Sequence, residues 1–500
     1  MASDDGSNSL DRRIFLGTGM ATLIGLPGFG LAQQPNPNDT RAARGSAGVA
    51  EGIRPSRIIA DFVTGFDLKT VPPAVIERAR VAFIDTLGVM LAGSQLPPAD
   101  IVCDVIKLEG SAPQATVVGR PLRVSPQLAA LANGVSGHVM DYDLTYFAGQ
   151  SIAAVIPAIL PVAETTGATA AEMLSAFIIA AEVAGRINRA APTISRLGGW
   201  HATGTIGTTA AAVACARLMQ VPAKTISDIV GISASMASGV TANFGTMTKP
   251  LHSGHAAQNG ILASMLGARG FTASASALEG HDGYFETFAR GLNWSVEPFG
   301  DLGKSYDLAQ YGYKLKPYPS GGLGHTAIDA ALELRESIKI SDIASVEVAI
   351  TKYAARRYTD RYPQTIENAK FSAPYLAGYT LVHGAPLLDA FTEKALHDEA
   401  VRTFARKVSL AIYQEYADVL EESPAKVTVT LNDGRKVERA KYYASGSVQV
   451  PMSAAQIKAK FDVCAAQAID KAASEKIYAV LSTLGEQPSL MDFWPLLRKA

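Results

Sequence analysis

The sequence is poor in cysteine: Cys103, Cys215 and Cys464 are the only three in 500 residues. They stand far apart, with no C-x-x-C and no Cys/His spacing of the kind that closes a tetrahedral zinc site. That argues against a structural zinc. Cys103 and Cys215 lie in apolar helical contexts and read as small core residues; one disulfide remains compatible with the count. Charge is scarce as well. Charged residues make up 18% of the chain, the formal net charge is −1, and Lys and Arg are scattered. A nucleic-acid binder needs a clustered basic face, so no nucleic-acid partner is expected, and any anion must be met by a few placed cations. A long apolar run is also lacking. The apolar stretch near the N-terminus is broken by Gly25, Pro27, Gly28 and Gly30, too short and too interrupted to span a bilayer.

Hydrophobic residues, by contrast, reach 48%, the composition of a globular chain with much buried surface. Its length exceeds one ordinary core, so two domains are expected. The N-terminus reads "SLDRRIFLGTGMATLIGLPGFGLAQQ". Arg12-Arg13, Phe15-Leu16 and a short Gly-rich apolar run look like a twin-arginine export signal over 1–33, with a small-residue cleavage site at its end. That implies a periplasmic protein without stable membrane insertion once the signal is removed. A chance basic pair before an apolar patch is the alternative, and would leave the protein cytoplasmic. Residues 34–54 read as a polar tether.

From Pro55 to about Gly291 the pattern predicts helix after helix. Pro72-Pro73 opens one that carries Val75, Ile76, Ala79, Phe83, Leu87 and Met90 on one face and stops at Gly93. Ser125-Pro126 starts another. Thr169-Ala-Ala-Glu172 is a capping box before an apolar run fit for a central helix, and Thr225-Ile-Ser-Asp228 reads as a further cap. The character changes near Trp294. "ASVEVAITKYA" alternates as a strand, "KVTVTLNDGRKVERAK" is a hairpin turning at Asp433-Gly434, and helical stretches lie around 327–337 and 372–382. After Pro451 helical periodicity returns. The expected fold is mainly α: a large all-helical domain, 55–291 and 450–500, interrupted by a smaller α+β lid at 292–449.

Four segments gather polar groups in apolar surroundings. "HVMDYDLTY" holds Asp141, Asp143 and Thr145. "GGWHATGTIGTTAAA" holds His201, with Thr203 and Thr205 as possible caps. "TMTKPLHSGHAAQNG" holds Lys249, His252 and His255, and "YKLKPYPSGGLGHTAIDAA" holds Lys314, Lys316, Tyr318 and His325. His252 and His255 could share a helix face, but no carboxylate joins them and Lys249 would repel a cation, so no metal is expected. No G-x-x-x-x-G-K-[ST] phosphate loop is present. What remains is a cation beside a helix N-terminus expected near Ser253, twice over, which suits a ligand with two or more carboxylates. Each lysine could equally be a solvated surface residue. His201 could be a general acid or base or a core histidine bonded to a backbone carbonyl.

At these segments, and at "ARVAFIDTLGVMLAG", "LEGHDGYFETF" and "AKFSAPYLAGY", the chain resembles the MmgE/PrpD family over roughly Ile58 to Asp462. Members include dehydratases, a decarboxylase and an epimerase of small polycarboxylates. The resemblance implies a helical domain with an α+β lid, a cleft between them, a homodimer, and chemistry without metal or organic cofactor. By resemblance Asp141, His201, Lys249 and Lys316 are catalytic, with Lys314 close enough to compete with Lys316. Thr145, Gln150, His252, Tyr318 and His325 bind substrate. The implied function is a lyase, a hydro-lyase or decarboxylase, that moves a proton next to a carboxylate. An isomerase, an exported carboxylate-binding protein and a structural partner subunit are the alternatives. Leu144 replaces a usual Asp, and Gln150 or Ser151 takes the place of a histidine. His255 and Ser320-Gly321-Gly322 also depart from the family pattern.

Overall fold

The computed structural model describes residues 52–498 apart from 148 and 421. The expected export signal at 1–33 lies outside the described residues. The described chain is mostly helical, with two small sheets. Among the described residues no single helix is long and apolar enough to cross a membrane.

The two longest helices form where apolar spacing and N-terminal signals agree. Pro73–Gly93 starts on a proline, whose fixed φ suits a first helical position, and buries Val75, Ala79, Phe83, Leu87 and Met90. Thr169 and Glu172 form the capping box expected of them, at the head of Ala170–Ala190, which is buried along most of its length. Thr225 and Asp228 do not cap a helix: theirs already begins at Ala223, with Pro222 at its N-cap. Asp228 instead accepts from the Ala273 amide at 2.9 Å. The helix expected to start near Ser253 runs from Thr248 to Gly267. Pro250 falls in its first turn, where the missing N–H has no intrahelical partner to lose.

The stretch expected to be helical throughout also holds a hairpin, β1 (Ala115–Val117) paired with β2 (Leu122–Val124). Three-residue strands are too short to leave a period in the sequence. The larger sheet joins β3 (Ile343–Ile350), β4 (Val408–Ile412), β5 (Ala425–Leu431) and β6 (Lys436–Lys441) in the order β4-β3-β5-β6. Only β3 and β4 run parallel. β5 alternates buried and half-buried positions, with Val427, Val429 and Leu431 inward. Gly434 takes φ 84° in the β5–β6 turn, a conformation that favours glycine.

Buried apolar side chains form two main clusters. One gathers residues from 59 to 315 together with 461–497. The other runs from Tyr318 to Leu431 and packs the β3–β5 face against the helices His325–Ser337 and Ala373–His383. Val296, Phe299, Leu302, Leu308 and Leu315 belong to the first cluster, although they come after the change of character near Trp294. The three cysteines are free and buried.

One close approach between helices sets the position of Lys249 and His252. The helix Pro126–His138 crosses Thr248–Gly267 at Gly134 and Gly254. A Cβ on Gly134 would stand 2.5 Å from the Gly254 Cα, and one on Gly254 would stand 2.4 Å from the Leu131 carbonyl oxygen. Only glycine at both positions lets the backbones meet this closely. The crossing brings the first turn of the second helix, with its lysine and histidine, beside the chain that leaves the first.

Candidate active site

Asp141 lies just beyond the end of the helix Pro126–His138, in the left-handed region at φ 53°. Aspartate tolerates that conformation better than most residues. Its side chain is buried, and one oxygen, Oδ1, accepts three hydrogen bonds. Lys249 Nζ donates at 2.9 Å, Lys316 Nζ at 2.6 Å and Gln150 Nε2 at 2.9 Å. Lys316 also donates to the Asp141 carbonyl oxygen at 2.9 Å. Burial alone would raise the Asp141 pKa, but the two lysines outweigh it and hold the carboxyl well below its usual range. One buried carboxylate therefore faces two ammonium groups.

Two further lysines support this arrangement through the backbone. Lys460 Nζ pairs with Asp85 at 2.6 Å and donates to the carbonyl oxygens of Tyr142 and Lys316 at 2.8 and 2.9 Å. Lys370 Nζ donates to the Val139 carbonyl oxygen at 2.8 Å. Its own burial pushes Lys370 down to about 8, against the pull of Glu367 and Asp141. An antiparallel bridge between Thr145 and Lys314, 2.8 Å in both directions, ties the same two stretches of chain together.

The imidazoles form a second cluster. His201 is the N-cap residue of Ala202–Leu218 and makes no side-chain cap. Its backbone N–H donates to the Gly239 carbonyl at 2.9 Å. The ring stacks on His138, with centroids 5.4 Å apart and planes 29° apart. It meets the Phe244 edge at 4.8 Å. His138 Nδ1 lies 2.9 and 3.0 Å from the Asp143 oxygens. His201 Nδ1 lies 3.0 Å from His252 Nδ1, while His201 Nε2 is buried without a partner. Burial first, then His138, Lys249 and His252, hold His201 well below its ordinary range. Burial, then His138 and Lys249, bring His252 down to about 4. Both rings are neutral near pH 7.

These groups border a cleft of about 140 Å³. Asp141, Thr145, Gln150, His201, Lys249, Lys316 and His325 line it, as does Lys314. Lys314 pairs with Glu422. Burial, then Lys316, lower His325 to about 3, and its Nε2 lies 3.2 Å from Ser320 Oγ. Two residues expected to bind substrate do not line the cleft. The Tyr318 hydroxyl donates to Asp329 at 2.7 Å. His252 sits behind His201. His255 also faces elsewhere, toward Asn259 and Ser238. Thr203 and Thr205 do not cap: their hydroxyls donate to the carbonyl oxygens of Gln150 and His201. His252 and His255 belong to no cluster that could hold an ion. Among the described residues the cluster with suitable spacing is His281, Asp282 and Glu286, all exposed and outside the cleft.

Sequence reasoning missed Arg196 and Arg357, which also line the cleft. Neither guanidinium has an ion-pair partner among the described residues; that of Arg357 lies 5.1 Å from the Phe244 ring centroid. Nothing marks these arginines beside the other surface arginines of the chain. The cleft thus presents five cations, two of them without an ion-pair partner among the described residues, against Asp141 and Glu422. It can hold an anion of more than one charge beside an imidazole with a free nitrogen.

Two family models match the chain. Residues 57–297 match the model of the MmgE/PrpD N-terminal domain, and 318–485 that of the MmgE/PrpD C-terminal domain. Among curated relatives, a cis-aconitate decarboxylase of Mus musculus is 25% identical over 441 residues, covering 85% of this chain and 89% of that protein. One of Homo sapiens is 26% identical over 442 residues, covering 85% and 90%. One of Aspergillus terreus is 25% identical over 454 residues, covering 85% and 92%. With both domain models matched in order along its length, this chain belongs to the MmgE/PrpD family.

Proposed function

We propose that the chain is a lyase that acts on a small polycarboxylate by proton transfer at a carbon next to a carboxylate, without a cofactor. The observation that carries this reading is the cleft itself. Asp141, clamped by Lys249 and Lys316, lines the same cleft as His201 and as Arg196 and Arg357, which have no ion-pair partner among the described residues. Guanidinium groups bind carboxylates bidentately. When CO₂ or a proton leaves such a substrate, negative charge grows on carbon and spreads into the neighbouring carboxylate. Fixed cations in a desolvated cleft lower the energy of that state. His201 Nε2 gives or takes the proton. Lys249 and Lys316 stabilise the charge, and Asp141 holds the two lysines in place.

Decarboxylation is the favoured reaction, supported by the cis-aconitate decarboxylases among its relatives, with hydro-lyase chemistry next. One feature favours a lyase over an epimerase. Epimerisation between two faces calls for proton-transfer groups on both sides of a carbon. The histidines that line this cleft are His201 and His325, and the His325 nitrogen is engaged with Ser320. Gln150 cannot exchange a proton near neutral pH.

We also propose that the expected lid, cut back to residues 318–449 because Val296 to Leu315 pack in the first cluster, closes over the helical part, that the protein works as a homodimer, and that the twin-arginine segment exports it to the periplasm. The function is tested by incubating the purified protein with citrate, 2-methylcitrate, cis-aconitate, malate and tartrate and following products by proton NMR. Loss of CO₂ or water from one acid is expected. Inversion of a stereocentre without loss would turn the reading toward an isomerase. Saturable binding without turnover would leave a carboxylate-binding protein.

A further inference from the structure

We propose that His252 is the proton relay of His201. Their Nδ1–Nδ1 hydrogen bond connects a histidine that lines the cleft to a ring that is only partly buried. The inference rests on His201 being the proton-transfer group of the proposed lyase.

Two neutral imidazoles whose Nδ1 atoms lie 3.0 Å apart share one hydrogen between those atoms. Their tautomers are therefore opposed. If His252 Nδ1 carries the hydrogen, His201 accepts it and bears its own hydrogen on Nε2, as an acid toward the cleft. If His201 Nδ1 carries it, His201 Nε2 is a bare base and His252 bears its hydrogen on Nε2. The surroundings keep both rings neutral. Burial first, and then the Lys249 charge, disfavour a positive charge on either ring. Asp141 acts on His201 in the opposite sense.

No other group competes for the role. His138 Nδ1 donates to the Asp143 carboxylate, which leaves its Nε2 bare, and it meets His201 by ring stacking. His201 thus has His252 as its one side-chain hydrogen-bond partner among the described residues. The contact is built rather than incidental. Gly239, at φ 112°, lies against the His252 ring, and a Cβ there would stand 3.1 Å from its Cγ. His201 is buried, whereas His252 is only partly so.

The transfer balances. In a decarboxylation the C–C bond breaks, CO₂ leaves, and the electron pair stays on the substrate. The carbanionic carbon takes the proton from His201 Nε2. His201 Nδ1 takes the proton from His252 Nδ1, and His252 Nε2 takes one from water, leaving hydroxide that the buffer neutralises. The net change is one solvent proton moved to carbon, with both rings neutral and their tautomers exchanged. Reversal through water in the emptied cleft resets the pair. Without His252, each protonation would leave His201 as an imidazolate beside the product.

The test combines spectroscopy with kinetics on the full protein. Long-range proton–nitrogen NMR of histidine-labelled protein is expected to show opposite tautomers at His201 and His252. In His252→Asn, whose amide keeps a hydrogen bond to His201 but passes no proton, kcat is expected to fall tenfold to a hundredfold with KM unchanged. In His252→Ala, added imidazole is expected to restore rate. Identical tautomers on the two rings, or a His252→Asn enzyme within twofold of the parent kcat, would overturn the relay. The tautomer measurement needs no substrate, so it still decides if no acid is turned over. That failure would count against the lyase reading alone.

Discussion

Replacing Asp141 by asparagine keeps the shape of the side chain and removes its charge. In the folded protein this leaves Lys249 and Lys316, with side chains 6% and 3% exposed, facing each other without the carboxylate that separates them. Each contact is a close ion pair, at 2.9 and 2.6 Å. At an effective dielectric of about 20 each has a gross attraction of ~6 kcal/mol. Most of that is offset by the desolvation of the three groups, and removing one partner of a buried pair costs about 3–5 kcal/mol in practice. A melting entropy of ~2 cal/mol/K per residue gives a chain of this size about 1 °C of Tm per kcal/mol. Asp141→Asn should therefore lower Tm by roughly 3–5 °C in calorimetry. A polycarboxylate in the buffer should recover part of the loss, because it returns negative charge to the lysines. An unchanged Tm, or no recovery with the acid, would refute the claim that Asp141 is the counter-charge of the pair.

Other consequences are open to measurement. Gly134→Ala places a Cβ 2.5 Å from the Gly254 Cα and should destabilise the protein by about 1–3 kcal/mol, the usual result of overpacking. Gly137→Ala, whose Cβ would find its nearest neighbour at 3.9 Å, should be neutral or slightly stabilising; urea titration of both variants checks the contrast. Lys370 is held at about 8 by its burial, below its unfolded value of about 10.4. Between those values the unfolded chain binds the extra proton, so Lys370 makes stability rise with pH across that window. Lys370→Met should flatten the rise. Arg357→Gln should raise KM for the polycarboxylate about tenfold or more, as expected for a lost charge-assisted pair, with a smaller change in kcat.

Much of this molecule is written locally. The capping box at Thr169, the proline start of Pro73–Gly93 and the alternation of β5 each depend on neighbours within a few residues, and each is legible in the chain. The start at Thr248 was obscured because proline and glycine are usual helix breakers; Pro250 is accommodated by its place in the first turn, and only the packing against Gly134 shows why Gly254 is there. The same limit applies to the cleft. His201, Lys249 and Lys316 could be named from short segments, but the convergence of both lysines on a single oxygen of Asp141 is a product of the fold. Tyr318 and His252 share segments with cleft residues and yet face away from the cleft or stand behind its wall. A one-residue change of direction is not encoded in sequence proximity. Arg196 and Arg357 carry no local signal at all, because their significance lies in what they face.

Everything proposed for the cleft turns on His201 carrying the proton among fixed cations. Single-turnover reaction of the parent enzyme and of His201→Gln with cis-aconitate in D₂O, followed by NMR, probes that step itself. The parent is expected to place one deuterium on the product carbon. The variant is expected to react two to four orders of magnitude more slowly, roughly the usual range for a lost acid–base group. Product formed by the variant at the parent rate, with the same deuterium content, would remove His201 from the reaction.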